Sequence, residues 1–326
     1  MKILITGGGG FLGSHLGDQL LAQGHEVVAL DLSPDYKIRH NLDNPKFHYV
    51  KGSVLEMDLL ENFITRSDLV YHLAAVVGVE HYVGDPLEVL NVNVNGTQNV
   101  FKLCHRHDKR VVFSSTSEVY GKSKDTPFKE YGDRLLGSTE IDRWCYSTSK
   151  AVGEHFAFAY GKIGLRHSIV RFFNIYGPRL DRLDVGRVMT IFMGQLLRGE
   201  DLTVIGDGLQ TRAFTYVDDG VRALALAGLK DEALGGIFNI GVDRETTILE
   251  LAEAMIRAYP QTGSKIAFVN QEKVYGQFYE DIPRRYPDVT RMRTILGVDA
   301  ETPLVEGVRR TIEWFKHEFE TQAPRA

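Results

Sequence analysis

Residues 1–13, MKILITGGGGFLG, run from an apolar stretch straight into four glycines and out into a second apolar stretch, FLGSHLGDQLLAQG. Lys2 to Ile5 suits a buried parallel strand, and Phe11, Leu12, Leu16, Leu20 and Leu21 recur at helical spacing, so the glycines lie where a strand hands over to a helix. Each glycine then has its own task. Gly7 permits a sharp turn, Gly10 a close approach of the backbone to a pyrophosphate, and Gly13 tight packing of helix on sheet, while the helix N-terminus faces the phosphates. A second apolar run, His25 to Leu30, ends in Asp31, eighteen residues after Gly13. A carboxylate there can accept hydrogen bonds from the adenosine ribose and would repel a 2'-phosphate, so NAD is the expected cofactor, although Lys37 and Arg39 lie close by.

Composition bounds the remaining choices. With 326 residues and 43% hydrophobic content, the chain can bury a sizeable core as one large domain or two intimately joined ones. The net charge of -5 and the absence of a dense Lys/Arg run argue against nucleic-acid or membrane-surface partners. No stretch approaches the ~18–20 apolar residues of a spanning helix, and the opening residues already read as a core strand, so the expected location is cytoplasmic. Cys104 and Cys145 lack metal-ligand spacing and the eleven histidines form no HxH or HExxH pattern; reduced thiols and no catalytic metal are expected.

Strand signals near 2–6, 26–31, 46–51, 69–73, 110–115 and 166–172 alternate with helical patterns, the longest at about 86–106 and 143–161. That rhythm predicts an α/β fold, a doubly wound parallel Rossmann sheet. After Asn174 it changes to GPRLDRLDVG and then to mixed elements: helices near 186–198, 219–229, 247–258 and 304–319, strands near 202–205 and 213–217. We therefore expect a cofactor domain over 1–174, with additions to its sheet from about 210–242, and a smaller substrate-binding region over most of 175–326.

Tyr146 and Lys150 lie four apart in WCYSTSKAVGEHF, on one face of a helix. A phenol with an ordinary pKa near 10 is a poor base at neutral pH, but an adjacent ammonium and a positive nicotinamide favour the phenolate, which can take a hydroxyl proton while hydride leaves. The fifth strand ends in VVFSSTSEVYG, and strand ends at the carboxyl edge of such a sheet point into the ligand crevice. Ser114 to Glu118 should therefore surround the cofactor ring and the sugar, with Thr116 sharing the hydroxyl proton.

The glycine spacing, GxxGxxG, resembles that of the short-chain dehydrogenase/reductase superfamily. Together with HLAA at 72–75, NVNGT at 93–97, SSTSEVYG, YSTSK, RFFNIYGPR at 171–179 and QTRAFTYVDD at 210–219, the chain resembles the extended members that act on nucleotide sugars, the NAD-dependent epimerase/dehydratase family. The resemblance implies NAD held by Gly7, Gly10, Phe11, Leu12, Gly13, Asp31, Leu32, Ser53, Val54, Leu73, Ala74, Ala75, Asn93, Ser114 and Phe172 together with Tyr146 and Lys150. It implies a UDP-sugar held by Ser117, Glu118, Asn174, Arg182, Arg187, Arg212, Tyr279 and Arg285. One departure is visible: family members often place Asp after the glycine that ends the third strand, where this chain has Gly52-Ser53-Val54. The two long helices resemble those that pair into a four-helix bundle in family dimers, which implies a homodimer.

Within the family, the 4,6-dehydratases carry Asp-Glu after the strand-end threonine and plain 4-epimerases usually lack the glutamate. Thr116-Ser117-Glu118 instead resembles the UDP-glucuronate decarboxylases, among them UDP-xylose synthase, the polymyxin-resistance decarboxylase and UDP-apiose/xylose synthase. VYGQFYEDIPRRYPDVTRMRTILG at 274–297 resembles a stretch of the latter two, in which a tyrosine and an arginine, here Tyr279 and Arg285, reach the sugar carboxylate region. Oxidation at C4 of a glucuronate gives a β-keto acid, whose carboxylate can leave as carbon dioxide. Thr116, Glu118, Tyr146, Lys150 and Arg285 are the expected catalytic group, giving UDP-xylose or the UDP-4-keto-pentose. A UDP-sugar 4-epimerase is the nearest alternative, and an inactive NAD-binding sensor an alternative of another class.

Overall fold

The computed structural model describes residues 1–33, 35–78, 81, 84–180, 182–184, 186–270 and 282–322. The first half alternates as the sequence predicts: β1 (Lys2–Thr6), α1 (Phe11–Ala22), β2 (Glu26–Asp31), β3 (Phe47–Lys51), α2 (Met57–Thr65) and β4 (Leu69–His72). There follow α3 (Pro86–Leu90), α4 (Thr97–Arg106), β5 (Arg110–Thr116), α5 (Arg143–Gly161) and β6 (His167–Phe172). The strands form a seven-stranded parallel sheet in the order β11-β6-β5-β4-β1-β2-β3. Its last member, β11 (Ile237–Ile240), returns from the second half of the chain to pair with β6.

The sheet is covered on both faces, so its strands are apolar at nearly every position. Side chains alternate: Ile3, Ile5, Val27, Ala29 and Tyr71 pack with Leu16 and Leu20 of α1, whereas Leu4, Leu30, Val70 and Phe113 pack with Leu60, Phe101 and Ala157 opposite. Each such Ile, Leu, Val or Phe side chain contributes about 1.5–3 kcal/mol on full burial. Strand order reverses between β1 and β4, which opens a crevice at the carboxyl ends of these strands.

The helix expected over 86–106 is continuous but not uniform. Asp85 caps it by accepting from the Glu88 N–H at 3.0 Å, and between α3 and α4 the stretch Asn91–Gly96 widens into a π-helix. That wide turn buries Asn93 toward the loop after β4.

The second half contributes β7 (Ile175–Tyr176), α6 (Val188–Leu197), β8 (Leu202–Ile205), β9 (Thr211–Arg212), β10 (Thr215–Tyr216), α7 (Val217–Leu229), β12 (Thr246–Thr247), α8 (Ile248–Ala258), β13 (Ile266–Val269), β14 (Arg284–Arg285) and α9 (Leu304–Gln322). The strand expected over 213–217 is reduced to β10 because the helix begins earlier, with Asp218 and Asp219 in its first turn, where carboxylates favour a helix N-terminus. Most strands here are two residues long and pair in small sheets: β10 with β7, β13 with β8, and β9 between β12 and β14. This last sheet sets Arg285 beside Arg212 in register.

Candidate active site

One cavity of about 1350 Å³ extends from the glycine turn to Arg285, larger than the roughly 300–1000 Å³ usual for one small ligand. At its cofactor end Gly7 sits at φ +75°, and a Cβ there would lie 2.6 Å from the Ala74 nitrogen. A Cβ on Gly13 would lie 2.1 Å from the Gly7 carbonyl oxygen. Neither position admits a side chain, and the cradle they leave fits a dinucleotide pyrophosphate at the start of α1. Asp31, at the tip of β2, accepts from the Gly9 N–H at 2.9 Å and the Ser33 N–H at 2.8 Å, which holds its carboxylate at the cavity edge. Leu32, Ser53, Val54, Leu73, Ala74, Ala75, Ser114 and Phe172 also line the cavity, as do Phe11, Leu12 and Lys37.

Three expected residues stand elsewhere. Asn93 does not line the cavity: its amide accepts from the Val76 N–H at 2.8 Å, and its Nδ2 donates to the Val76 carbonyl at 3.1 Å and to Ser149 Oγ at 3.2 Å. It braces the loop after β4 that lines the cavity, because the π turn points it at backbone. Arg182 is exposed and absent from the lining. Tyr279 lies outside the described residues.

Tyr146 and Lys150 meet the end of β5 in the middle of the cavity. The Lys150 ammonium donates to the Ser114 carbonyl at 2.8 Å and lies 5.1 Å over the Phe113 ring. Burial pulls Lys150 down to about 7, and Glu154 opposes that shift. The phenol of Tyr146 is pushed up, first by burial and then by the Glu118 charge, while Arg187 and a hydrogen bond with Thr116 pull it down. Thr116 Oγ1 also accepts from the Glu118 N–H at 3.2 Å, fixing the turn. His72, buried behind Lys150, bonds Thr6 Oγ1 at 2.7 Å and Thr97 Oγ1 at 2.9 Å; burial and then Lys150 lower it to about 3, so its imidazole is neutral.

At the opposite end of the cavity Glu118 is the centre of a cationic cluster. Arg285 Nη1 bonds its Oε1 directly, and Arg143 Nη2 lies 3.7 Å from its Oε2. Burial alone would raise the Glu118 carboxyl, but Arg285, Arg143 and Arg212 hold it below the ordinary carboxylate range. Arg285 Nη2 also lies 3.4 Å from Asn174 Oδ1, while Arg285 Nε and Asn174 Nδ2 are buried with no partner among the described residues. Arg212 donates to the carbonyls of Thr211 at 2.8 Å and Ile282 at 2.7 Å. Alternation along β14 separates the neighbouring arginines: Arg285 is buried, whereas Arg284 is exposed and paired with Glu245 at 2.6 Å.

Sequence reasoning did not place Arg143 in this group. It stands one helical turn before Tyr146, on the same face, and that spacing was the signal. The wall formed by Thr203, Ile205, Leu209 and Gln210 carries no comparable signature. Among the described residues there is no group of three His, Cys, Asp or Glu side chains disposed to hold a metal, and no helix long and apolar enough to cross a membrane.

Residues 3–241 match the model of the NAD dependent epimerase/dehydratase family. The chain is 38% identical, over 97% of its length and 98% of the relative's, to UDP-N-acetyl-alpha-D-glucosaminuronate decarboxylase of Bacillus cytotoxicus. It is 36% identical, over 99% of its length and 74% of the relative's, to UDP-glucuronic acid decarboxylase 1 of Xenopus tropicalis. Among solved structures, UDP-glucuronic acid 4-epimerase of Bacillus cereus, in complex with UDP-glucuronic acid and NAD, is similar with a TM-score of 0.85 and 29% identity, covering 98% of this chain and 100% of that one.

Proposed function

Because the chain belongs to the NAD dependent epimerase/dehydratase family, we propose that it is an NAD-dependent decarboxylase of UDP-glucuronate or of its 2-acetamido counterpart. The observation that carries this reading is the placement of Glu118, clamped by Arg285 and faced by Arg143, beside Tyr146 and Lys150. Three guanidiniums against one carboxylate leave net positive charge at the sugar end, suited to a substrate that brings both a diphosphate and a carboxylate. The 2-acetamido sugar enters because the Bacillus cytotoxicus relative is named for it.

Bound NAD supplies the hydride acceptor for oxidation at C4. Tyr146, with Thr116 on its phenol, takes the C4 hydroxyl proton, and the Lys150 ammonium favours the phenolate. The product is a β-keto acid. Its C5–C6 bond then breaks, the electron pair passing into the C4 carbonyl as an enolate while C6 departs as carbon dioxide. A proton drawn from water and delivered with the help of Arg285 then takes the place of C6 on C5, giving the 4-keto-pentose. Arg285 and Arg143 orient the carboxylate and stabilise the enolate, and Glu118 positions both guanidiniums. Asn174, Ser117, Arg187 and Arg212 are assigned to the nucleotide sugar, and the residues lining the cavity from Gly7 to Ala75 to NAD. The division of labour runs at about residue 174, with β11 returned to the cofactor side.

The chain works as a homodimer on this reading. Leu87 is 77% exposed on α3, and Leu90 and Phe158 are exposed on α3 and α5, which supports pairing of these helices across a two-fold axis. Cytoplasmic location is supported by two free cysteines. The test is incubation with NAD and each UDP-uronate, followed by mass spectrometry. A product lighter by carbon dioxide is expected; unchanged mass with an inverted C4 centre would make the enzyme a 4-epimerase.

A further inference from the structure

Behind the reacting end of the cavity, outside its lining, lies a buried ion pair. Glu154 on α5 and Arg171 on β6 are 5% and 4% exposed. Arg171 Nε donates to Glu154 Oε1 at 2.8 Å and Nη2 to Oε2 at 2.6 Å. Nη1 of the same guanidinium donates to the Glu130 carbonyl at 3.0 Å, and the group stacks 4.7 Å over the Tyr120 ring. Ser115 Oγ donates to Glu154 Oε1 at 2.5 Å. Buried pairs of this kind are poor sources of stability, because desolvation offsets most of the attraction.

Its placement shows what else it does. Glu154 is one helical turn beyond Lys150, as Lys150 is one turn beyond Tyr146, so the three share a face of α5. Ser115, which Glu154 holds, stands between Ser114, whose carbonyl receives the Lys150 ammonium, and Thr116, which bonds the Tyr146 phenol. We propose that Glu154 is a positioning residue for the Tyr146 and Lys150 pair: pinned by Arg171 and Ser115, its carboxylate stands behind Lys150 on the shared face of α5 and fixes the strand end that carries Ser114 and Thr116. The inference rests on the proton relay assigned above, but not on the identity of the sugar.

The other groups facing the pair leave this task to Glu154. On Lys150, Phe113 presents a ring, Ser114 a carbonyl and His72 a neutral imidazole. Burial drives the lysine toward the free amine, and Glu154 is the carboxylate that opposes it. Glu118 acts on Tyr146 in the contrary sense, disfavouring the phenolate, with Arg187 and Thr116 opposing it. Arg171 tempers the Glu154 charge from the far side. Without Glu154 the lysine loses its proton more readily, and the strand end loses the anchor that sets Thr116 on the phenol, the hydrogen bond that pulls Tyr146 down.

The experiment is an ultraviolet titration of Tyr146 in the NAD-bound protein, read as the tyrosinate band of a protein minus that of the same protein carrying Tyr146→Phe. Glu154→Gln should move the Tyr146 titration up by about one pH unit or more. That variant leaves Arg171 buried without its partner, so Glu154→Gln with Arg171→Gln serves where the single variant does not fold; the shift should keep its sign and shrink. Glu154→Asp, which retains the charge, should restore most of the wild-type titration. A folded Glu154→Gln protein, single or double, whose Tyr146 titrates as in the wild type overturns the proposal. So does a Glu154→Asp protein that shifts as far as the glutamine variant, since geometry alone would then be at work. No sugar is present in this titration, so a failure to decarboxylate either UDP-uronate bears on the substrate assignment and not on this one.

Discussion

The two ends of the cavity are built by different means. The cofactor end is drawn mostly from the glycine turn, the tip of β2 and the loops after β3 and β4, within the first seventy-eight residues, and its shape is set by sterics: the backbone of Gly7 and Gly13 comes so close to Ala74 and to itself that no side chain fits. The sugar end is drawn from Glu118, Arg143, Asn174 and Arg285, up to 167 positions apart, and is held by charge. A site made by backbone exclusion has one shape. A site made by ion pairs can exchange partners, and a substrate carboxylate competing with Glu118 for Arg285 and Arg143 is such an exchange. Damage at the first end should therefore appear as lost binding and stability, and at the second as lost chemistry.

Tyr146→Phe gives the largest expected effect, because it removes the group shared by the two ends. Hydride transfer should fall by about 10²–10⁴-fold, the usual worth of a positioned general base, with NAD affinity unchanged by calorimetry. Parallel loss of NAD affinity would mean that the ends are not separable. Arg285→Ala comes next. Carbon dioxide release should drop about 10²–10³-fold, as for loss of one donor to a developing oxyanion, while NADH formation in the first half-reaction persists. With Arg285 gone, the opposing effect of burial on Glu118 gains weight and its carboxyl rises. The acid limb of any remaining activity should move to higher pH, and an unmoved limb would argue against Glu118 as the titrating group.

Gly13→Ala tests the steric end. The added Cβ, 2.1 Å from the Gly7 oxygen, must push the turn apart, at a cost of about 1–3 kcal/mol for overpacking. Calorimetry should show a lower melting temperature and weakened NAD binding together. A variant with normal melting and normal NAD affinity would show that the turn yields, and the contrast between the two ends would fail.

The same contrast explains what could be read from sequence. Strand, glycine turn and helix are contiguous, so local periodicity locates Gly7, Gly13 and Asp31 and predicts the parallel sheet. Tyr146 and Lys150 are legible for the same reason, being four apart on a helix. Asn93 is a partial exception: its place in the chain resembles that of a cofactor ligand, but a π turn, which leaves no mark in periodicity, turns it onto Val76. The pairing of Arg285 with Glu118, and the division of work between Arg284 and Arg285, depend on two-residue strands in a three-stranded sheet, too short to carry any pattern. Arg182 was expected among the ligands from local resemblance alone, and it stands exposed outside the cavity lining.

A tie from outside the cavity gives the smallest and most discriminating effect. Arg179, at φ +63° in the loop after β7, donates to Asp18 at 2.6 Å and His15 Nδ1 at 2.8 Å on α1, and to the Lys37 carbonyl at 3.2 Å. It thus ties the chain next to Leu180, which lines the cavity, onto the helix that begins at the glycine turn. Burial first, and then Arg179, lower His15 from 6.5 to about 4. A base whose folded pKa lies below its unfolded one binds protons first in the unfolded chain, so stability is lost as pH falls from 6.5 toward 4. Asp18 is lowered as well, burial being outweighed by Arg179, His40 and Asn41, so its share of stability persists to still lower pH before it is lost. Arg179→Ala should therefore lower the melting temperature by a few degrees at neutral pH and make it less sensitive to acid. It should also speed NAD release by about tenfold or less, as expected for one charge-assisted contact worth about 1.5 kcal/mol or less at a loop. Faster NAD release with an unaltered melting profile would mean that the tie acts on the loop alone. An altered profile with unchanged release would mean that the cofactor end keeps its shape without help from this tie.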